Sequence, residues 1–403
     1  MGWKGASIVE QRRDFVLRAL EPGANISALC REYQISRKTG YKWLHRFRES
    51  GLLGLKDHPR PARGRSFRCS VEVSLDVVFL KRSYPAFGPK KIRRLLQSRW
   101  PAEDVPSTST VSRILKYVGL TKPRRTVRRG KAGPQKRPEV VVEGPNDLWT
   151  VDFKGWFRSG NGEKCEPLTV RDEYSRYVLG IDLVEAPSTE CVRPVMERLF
   201  AQYGLPKAIQ SDNGPPFATS QSISRLTKLS AWWVALGIRV VRSRAGKPQD
   251  NGGHERFHRD MKAHLQRHPA WDRERQQQEC DTFRQSFNWE RPHAALGQEL
   301  PGDVYVRSPR VFTGETPVLV YSDGMEVRKV NNVGAIRFRR YQRSVGKAFA
   351  GEYVGVEQFD EKRFRVWYGD VCLGVGDLPW VAPLRPPGRL DEQQALEGEG
   401  QQM

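Results

Sequence analysis

DLWTVDFKG (147–155) is the stretch on which the architecture turns, an apolar strand with a carboxylate, Asp152, set between Val151 and Phe153. A charged side chain in the middle of an apolar strand needs a reason. Working outward from it, PLTVRDEYSRYVLGIDLV (167–184) reads as two strands joined by a polar turn, and STECVRPVMERLFAQYG (188–204) as a helix ending at Gly204. KAIQSDNG (207–214) is a short strand running into a turn, SRLTKLSAWWVALG (224–237) a helix and IRVVRSR (238–244) a strand. NGGHERFHRDMKAHLQRH (251–268) and residues 271–289 complete the pattern as helices. Strands alternating with helices make 146–300 an α/β domain.

Upstream the texture is helical and basic. The chain of 403 residues carries a formal charge of +22, and residues 1–145 hold 32 Lys and Arg against 12 Asp and Glu. An excess confined to one third of a chain points to a polyanion, most simply nucleic acid. A helix spans 8–20. ISALCREYQ (26–34) sets Ile26, Leu29, Cys30 and Tyr33 on one face. Ser36 then caps RKTGYKWLHRFRE (37–49), with Trp43, Leu44 and Phe47 inward and Arg37, Lys38, Tyr41 and Lys42 outward. Two short helices with a tight connection, the second basic at its start, fit a helix-turn-helix over 1–57. After a basic linker (58–69), a looser second helix-turn-helix occupies 70–121, with helices near 71–83, from Pro89, and after Ser107, the last carrying Arg113. A second basic linker (122–145) offers Arg124, Arg125, Arg128 and Arg129 as phosphate contacts without a helical frame.

Downstream, VLVYS, AIRFRRY, YVGVEQF and FRVWYG alternate within 311–385 and imply a small barrel-like β domain, followed by an acidic, Gln-rich, disordered tail at 386–403. No apolar run reaches the roughly 18 residues of a membrane span. The opening MGWKGASIVEQRRDF has no apolar signal core, and the six scattered cysteines form neither a disulfide framework nor a zinc ribbon. The expected compartment is the cytoplasm.

Asp152 and two other carboxylates lie at the ends of core elements: Asp212 closes a strand at SDNG, and Glu255 sits in the first turn of a helix opened by Asn251. Each alone has an ordinary reading, as a hydrogen-bonded strand residue, a turn former and a complement to the helix dipole. Together they could hold hard divalent cations. LWTVDFKG, SDNGPPF, and KPQDNGGHERFHRDMK followed by NWERPHAALGQELP resemble the catalytic core of the retroviral-integrase-like transposases of bacterial insertion sequences. That resemblance implies an RNase H-like fold, a site of Asp152, Asp212 and Glu255, two Mg²⁺ or Mn²⁺ ions, and a homo-oligomer assembled on element-end and target DNA. It implies cleavage at element ends and strand transfer by in-line attack, first by water and then by a DNA 3′-hydroxyl. The 42 residues between Asp212 and Glu255 exceed the family's commonest spacing, with the surplus assigned to Gln221–Ser230.

Asn213, Gln249, Asn251, His254 and Arg256 could orient DNA, and Arg256, Arg259 and Lys262 repeat along the helix that bears Glu255. Two other readings stand beside this one. A catalytically silent DNA-binding regulator would keep the helical modules without the chemistry. His254-Glu255-Arg256-Phe257-His258 also matches the H-E-x-x-H signature of zinc peptidases. Two glycines precede that motif, and a third ligand from His264 or His268 would require the helix to bend.

Overall fold

The computed structural model describes residues 8–57, 69–121, 140–220, 222–243, 252–266 and 269–387. They fall into two compact units, divided between Ser74 and Leu75. The first contains α1 (Ile8–Ala19), α2 (Ile26–Glu32) and α3 (Arg37–Ser50), each where helical periodicity places it. Asn25 caps α2 through Ala28 N, and Ser36 caps α3 through Thr39 N at 3.1 Å. Phe15, Val16, Leu29, Cys30, Trp43, Leu44 and Leu55 form the core. Arg12 lies over the Trp43 ring at 3.9 Å and bonds Leu55 O, so the cation seals one side of that core instead of facing solvent.

The division falls within the first turn of α4 (Val71–Ser83), and in the second unit the rest of that helix, α5 (Pro89–Gln97) and α6 (Thr108–Tyr117) bury Val77, Leu80, Ile92, Leu96, Val111 and Leu115. Pro89 opens α5 and Ser107 caps α6 through Thr110 N. Tyr84 bonds Glu290 and Arg94 pairs with Glu299 at 3.0 Å, which ties this module to the α/β layer.

The α/β layer is a mixed sheet of β1 (Leu148–Phe153), β2 (Phe157–Arg158), β3 (Lys164–Asp172), β4 (Val178–Val184), β5 (Ala208–Ser211) and β6 (Arg239–Arg242). Its order is β4-β3-β1-β5-β6, antiparallel among β4, β3 and β1 and parallel from β1 through β5 to β6, with the short β2 on β3. This is the RNase H-like arrangement expected from the sequence. Helices cover both faces. On one, α7 (Thr189–Tyr203) and α8 (Lys228–Ala235) bury Trp149, Val151, Leu168, Phe200 and Trp233. On the other, α9 (Gly252–Leu265) and α10 (Arg273–Trp289) bury Cys165, Val178, Ile181, Phe257, Met261 and Phe287. Asn288 clamps α10 to β4 with a reciprocal pair of bonds to Val178 N and O, at 2.8 and 2.9 Å.

α7 ends at Gly204, whose φ of +80° and ψ of +177° suit glycine alone. A Cβ there would also meet the Ser308 and Arg310 carbonyls at 2.7 and 2.8 Å. Gly204→Ala is therefore expected to cost about 1–3 kcal/mol in a urea titration; an unchanged midpoint would show that the chain after α7 relaxes freely.

The tail of the expected linker already belongs to the core, because Val140 and Val142 pack against Leu148, Ala208 and Val241. Beyond 300, α11 (Pro301–Val304), Tyr305 and Phe312 also pack on the sheet domain. The C-terminal region corrects the barrel expectation. β7 (Glu326–Lys329), β10 (Tyr353–Gln358), β11 (Arg363–Tyr368) and β12 (Val371–Asp377) form an antiparallel sheet of four, while β8 (Ala335–Phe338) and β9 (Tyr341–Ser344) pair separately. Among the described residues the two sheets do not join into a closed barrel. VLVYS is not a strand, and Val318 and Val320 stand exposed. This β region is no satellite either: Ala231, Val234 and Ala235 of α8 share a core with Val330, Phe338, Val354 and Phe364. α8 is apolar all round because it is buried between the two layers.

The six cysteines form no disulfide among the described residues, and none of the described helices is long and apolar enough to cross a membrane.

Candidate active site

Period-2 alternation along β1 builds the site. Trp149 and Val151 point into the α7–α8 core, so Thr150 and Asp152 point to the opposite face, under α9. β3 does the same, placing Thr169 directly across from Asp152 and Arg171 across from Thr150. On the other side of β1, the parallel register pairs Thr150 with Gln210. Carried two residues further, that register sets Asp152 level with Asp212, just past the end of β5. Two carboxylates thus lie level with each other at the C-terminal ends of the central parallel strands, where open α/β sheets place their ligands.

Asp212 is exposed and accepts a bond from Gly214 N at 3.3 Å. Even so, enough protein crowds its carboxyl to push it above the ordinary carboxylate range, and the Gly214 bond opposes that rise. Asn213 turns away to bond Ser243 O. Between Asp212 and α8 the chain makes a local excursion closed by a bridge between Ala218 and Leu226; of the stretch expected to hold the surplus, Gln221 lies outside the described residues and Lys228–Ser230 belong to α8. Helix α8 begins only at Lys228, after a capping box of Thr227 and Ser230.

Helix α9 is clasped to the sheet by two histidines one turn apart. His254 Nε2 lies 2.7 Å from the Thr150 hydroxyl, and His258 Nε2 lies 2.9 Å from that of Thr169. His254 is fully buried, its Nδ1 3.8 Å from Asp152 Oδ2. Burial, then the positive charge of Arg171, holds His254 well below the usual imidazole range. Burial followed by Lys154 and Arg171 holds His258 down to about 4, so both rings are neutral at pH 7. Arg171 is itself buried, pairs with Glu173 at 2.7 Å and lies where a Cβ on Gly253 would stand, so that glycine admits the guanidinium beneath α9.

Glu255 follows His254 and is exposed, as are Arg256, Arg259 and Lys262. Gln249 and Asn251 lie outside the described residues, as do His268 and the linker residues Arg124, Arg125, Arg128 and Arg129. His264 does not join the cluster, its Nε2 lying 3.5 Å from Glu279. In the helical modules Arg37, Lys38, Tyr41 and Lys42 are exposed on α3, and Arg113 is exposed on α6.

The carboxylates and imidazoles supply the donor types that a divalent cation needs. Among the described residues, the one set of three such side chains whose ligand atoms lie within 4.8 Å of one another is Asp152, His254 and His258. Asp212 and Glu255 stand outside that radius. Sequence reasoning missed Thr150, Thr169 and Arg171; the alternation that placed Asp152 also places Thr150 on its face, which was the available signal.

A further histidine, His293, follows α10. Burial and then the cations Arg176, Lys91, Arg171 and Arg291 hold it down to about 3. Because the folded value lies below the unfolded one, the stability it contributes is complete above about pH 6.5 and drains away as pH falls toward 3. His293→Asn should flatten the acid limb of a stability–pH profile by up to about 1.4 kcal/mol per pH unit; an unaltered limb would assign the acid sensitivity elsewhere.

Family models place this geometry. Residues 142–248 and 236–301 match models of the integrase core domain, and 325–381 match the C-terminal domain of IS481 family transposases. Residues 11–65 match a helix-turn-helix domain and 39–115 a homeodomain-like domain. The 31.7 kDa protein of insertion element IS407 from Burkholderia multivorans is 29% identical over 195 residues, 48% of this chain and 67% of its own. The 39.2 kDa protein of insertion element IS476 from Xanthomonas euvesicatoria is 24% identical over 305 residues, 74% of this chain and 79% of its own. In its core, its helix-turn-helix region and its C-terminal region the chain is thus similar to insertion-sequence transposases with a retroviral-integrase-like core. Among solved structures, the HTLV-2 integrase catalytic core in complex with magnesium aligns with 40% of this chain and 98% of its own, at 15% identity and a TM-score of 0.32.

Proposed function

We propose that this chain is a transposase that cuts double-stranded DNA at the ends of its element and joins the freed 3′-hydroxyl to target DNA, using Asp152, Asp212 and Glu255. The observation that carries the reading is the register of β1 on β5, which brings Asp152 level with Asp212 beside the helix of Glu255. Three carboxylates repel one another until cations neutralise them. Two Mg²⁺ or Mn²⁺ ions held by these residues would supply activation of the attacking hydroxyl and stabilisation of the leaving oxygen. The protein's own part is to aim and exclude. Arg256, Arg259 and Lys262, exposed on α9, lie along the path of a DNA backbone that reaches Glu255. The His254–Thr150 and His258–Thr169 bonds fix the helix carrying Glu255 against β1, which carries Asp152, and against its neighbour β3. The helical modules supply recognition, and two element ends call for a homo-oligomer. The test is incubation of the full chain with labelled end DNA in Mg²⁺ and in EDTA. Joined products in Mg²⁺ alone support the reading, and binding without any cleavage would favour the silent regulator.

Within the first module, side chains at the start of α3 are placed to reach base edges, where an Arg or Lys on guanine is worth about 1–3 kcal/mol. Replacing Arg37 and Lys38 by Ala should erode the preference for end DNA over random DNA. Replacing Arg124, Arg125, Arg128 and Arg129 should weaken both alike, and flatten the salt dependence by about 0.9 per lost phosphate contact. The check is binding to both DNAs across a salt series. The opposite assignment of effects would make α6, with Arg113, the sequence reader.

A further inference from the structure

The H-E-x-x-H motif has a third partner that the sequence could not show, and it lies on a strand. The Thr169 hydroxyl donates its one proton to Asp152 O at 2.9 Å, so the bond it shares with His258 must be donated by His258 Nε2–H. The Thr150 hydroxyl donates to Arg171 O at 3.3 Å, so His254 Nε2–H likewise donates to Thr150. In neutral rings this leaves both Nδ1 atoms with a bare lone pair. His254 Nδ1 is completely buried, has no hydrogen-bond partner, and faces the Asp152 carboxylate. That lone pair and the carboxylate oxygen 3.8 Å away both face the space between them, and a cation seated there would be attracted by both. His254, oriented by the Thr150 hydroxyl on its far nitrogen, is arranged as a metal-binding imidazole is, and His258 lies one turn along the same helix within reach of the same space.

We propose that Asp152, His254 and His258 form an N,N,O site for a single divalent ion that takes imidazole nitrogen, Zn²⁺ above all and Mn²⁺ as its spectroscopic stand-in, in preference to Mg²⁺. Two imidazoles and one carboxylate favour such ions over Mg²⁺, whose usual ligands are all oxygen. The site shares Asp152 with the three-carboxylate reading and needs neither Asp212 nor Glu255. Glu255, the base in a peptidase reading of the motif, is exposed one position along the helix from the buried His254.

The test uses the full chain, stripped with a chelator, titrated with MnCl₂ and examined by pulsed electron paramagnetic resonance for ¹⁴N coupling to the bound ion. Two imidazole nitrogens should appear in the wild type. His258→Gln and His254→Gln should each remove one, with circular dichroism confirming the fold; His258, half-buried, is the safer variant. Asp212→Asn and Glu255→Gln should keep both couplings while losing strand joining, which separates this site from the catalytic reading. Zn²⁺ should displace the coupled Mn²⁺ at concentrations at least about tenfold lower than Mg²⁺ requires. All-oxygen coordination at saturating Mn²⁺, or ¹⁴N couplings unchanged in both histidine variants, would overturn the proposal whether or not the chain joins DNA.

Discussion

Asp152→Asn, Asp212→Asn and Glu255→Gln are each expected to lower strand joining about a thousandfold or more, a barrier increase of about 4 kcal/mol, while end-DNA binding stays near wild type. Each amide keeps the shape of the acid and removes the negative charge that would hold a divalent ion. The fold should tolerate them. Asp212 and Glu255 are exposed, and Asp152 lies near the C-terminal end of β1 with its backbone carbonyl, not its carboxylate, receiving the Thr169 bond. Binding should survive because the contacts assigned to recognition lie on α3 and α6, away from the carboxylates in sequence. Joining by any one variant within about tenfold of wild type would remove that residue from the catalytic set.

The second large effect concerns stability. Trp149 is fully buried three residues before Asp152, tilted against Phe200 with ring centres 5.8 Å apart, and its indole N–H bonds Asn146 Oδ1 at 3.0 Å. Trp149→Ala should cost about 3–5 kcal/mol, since the sheet and α7 cannot close over a cavity that size. Trp149→Phe should cost much less. It keeps most of the apolar volume, and Asn146 Oδ1 still receives the Tyr305 hydroxyl at 2.9 Å. Denaturant titration of both variants checks this. Equal losses would mean that the hydrogen bond, and not the packing, holds β1 in place.

The legible parts of this chain were those governed by local rules. Ser36 and Ser107 announce α3 and α6 because a side-chain oxygen one residue before a periodic run satisfies an orphan N–H. Asp152 was legible because a carboxylate between Val151 and Phe153 is out of place in a plain strand. The rest depended on which layers meet. α8 reads as an ordinary helix, yet it is the shared wall between the sheet domain and the C-terminal strands, and apolarity on every side does not say what covers each side. VLVYS alternates like a strand but finds no partner, because pairing is non-local, while the polar-looking EVRK of β7 does pair with β10. The hydroxyls of Thr150 and Thr169 escaped notice because threonine is common in strands; only the placement of α9 gives them histidines to hold. The motif HERFH was visible as a string, but its third donor, Asp152, lies 102 residues before His254 and comes from another element.

The central claim is that a DNA hydroxyl attacks the scissile phosphate directly, with no protein nucleophile. It is tested most directly by strand joining on target DNA carrying a phosphorothioate of known chirality at the insertion position, with the configuration of the joined product determined. Direct in-line attack inverts phosphorus once, and inversion is the result predicted here. Retention would require two displacements through a covalent protein–DNA intermediate, and would contradict a site built only from Asp152, Asp212 and Glu255.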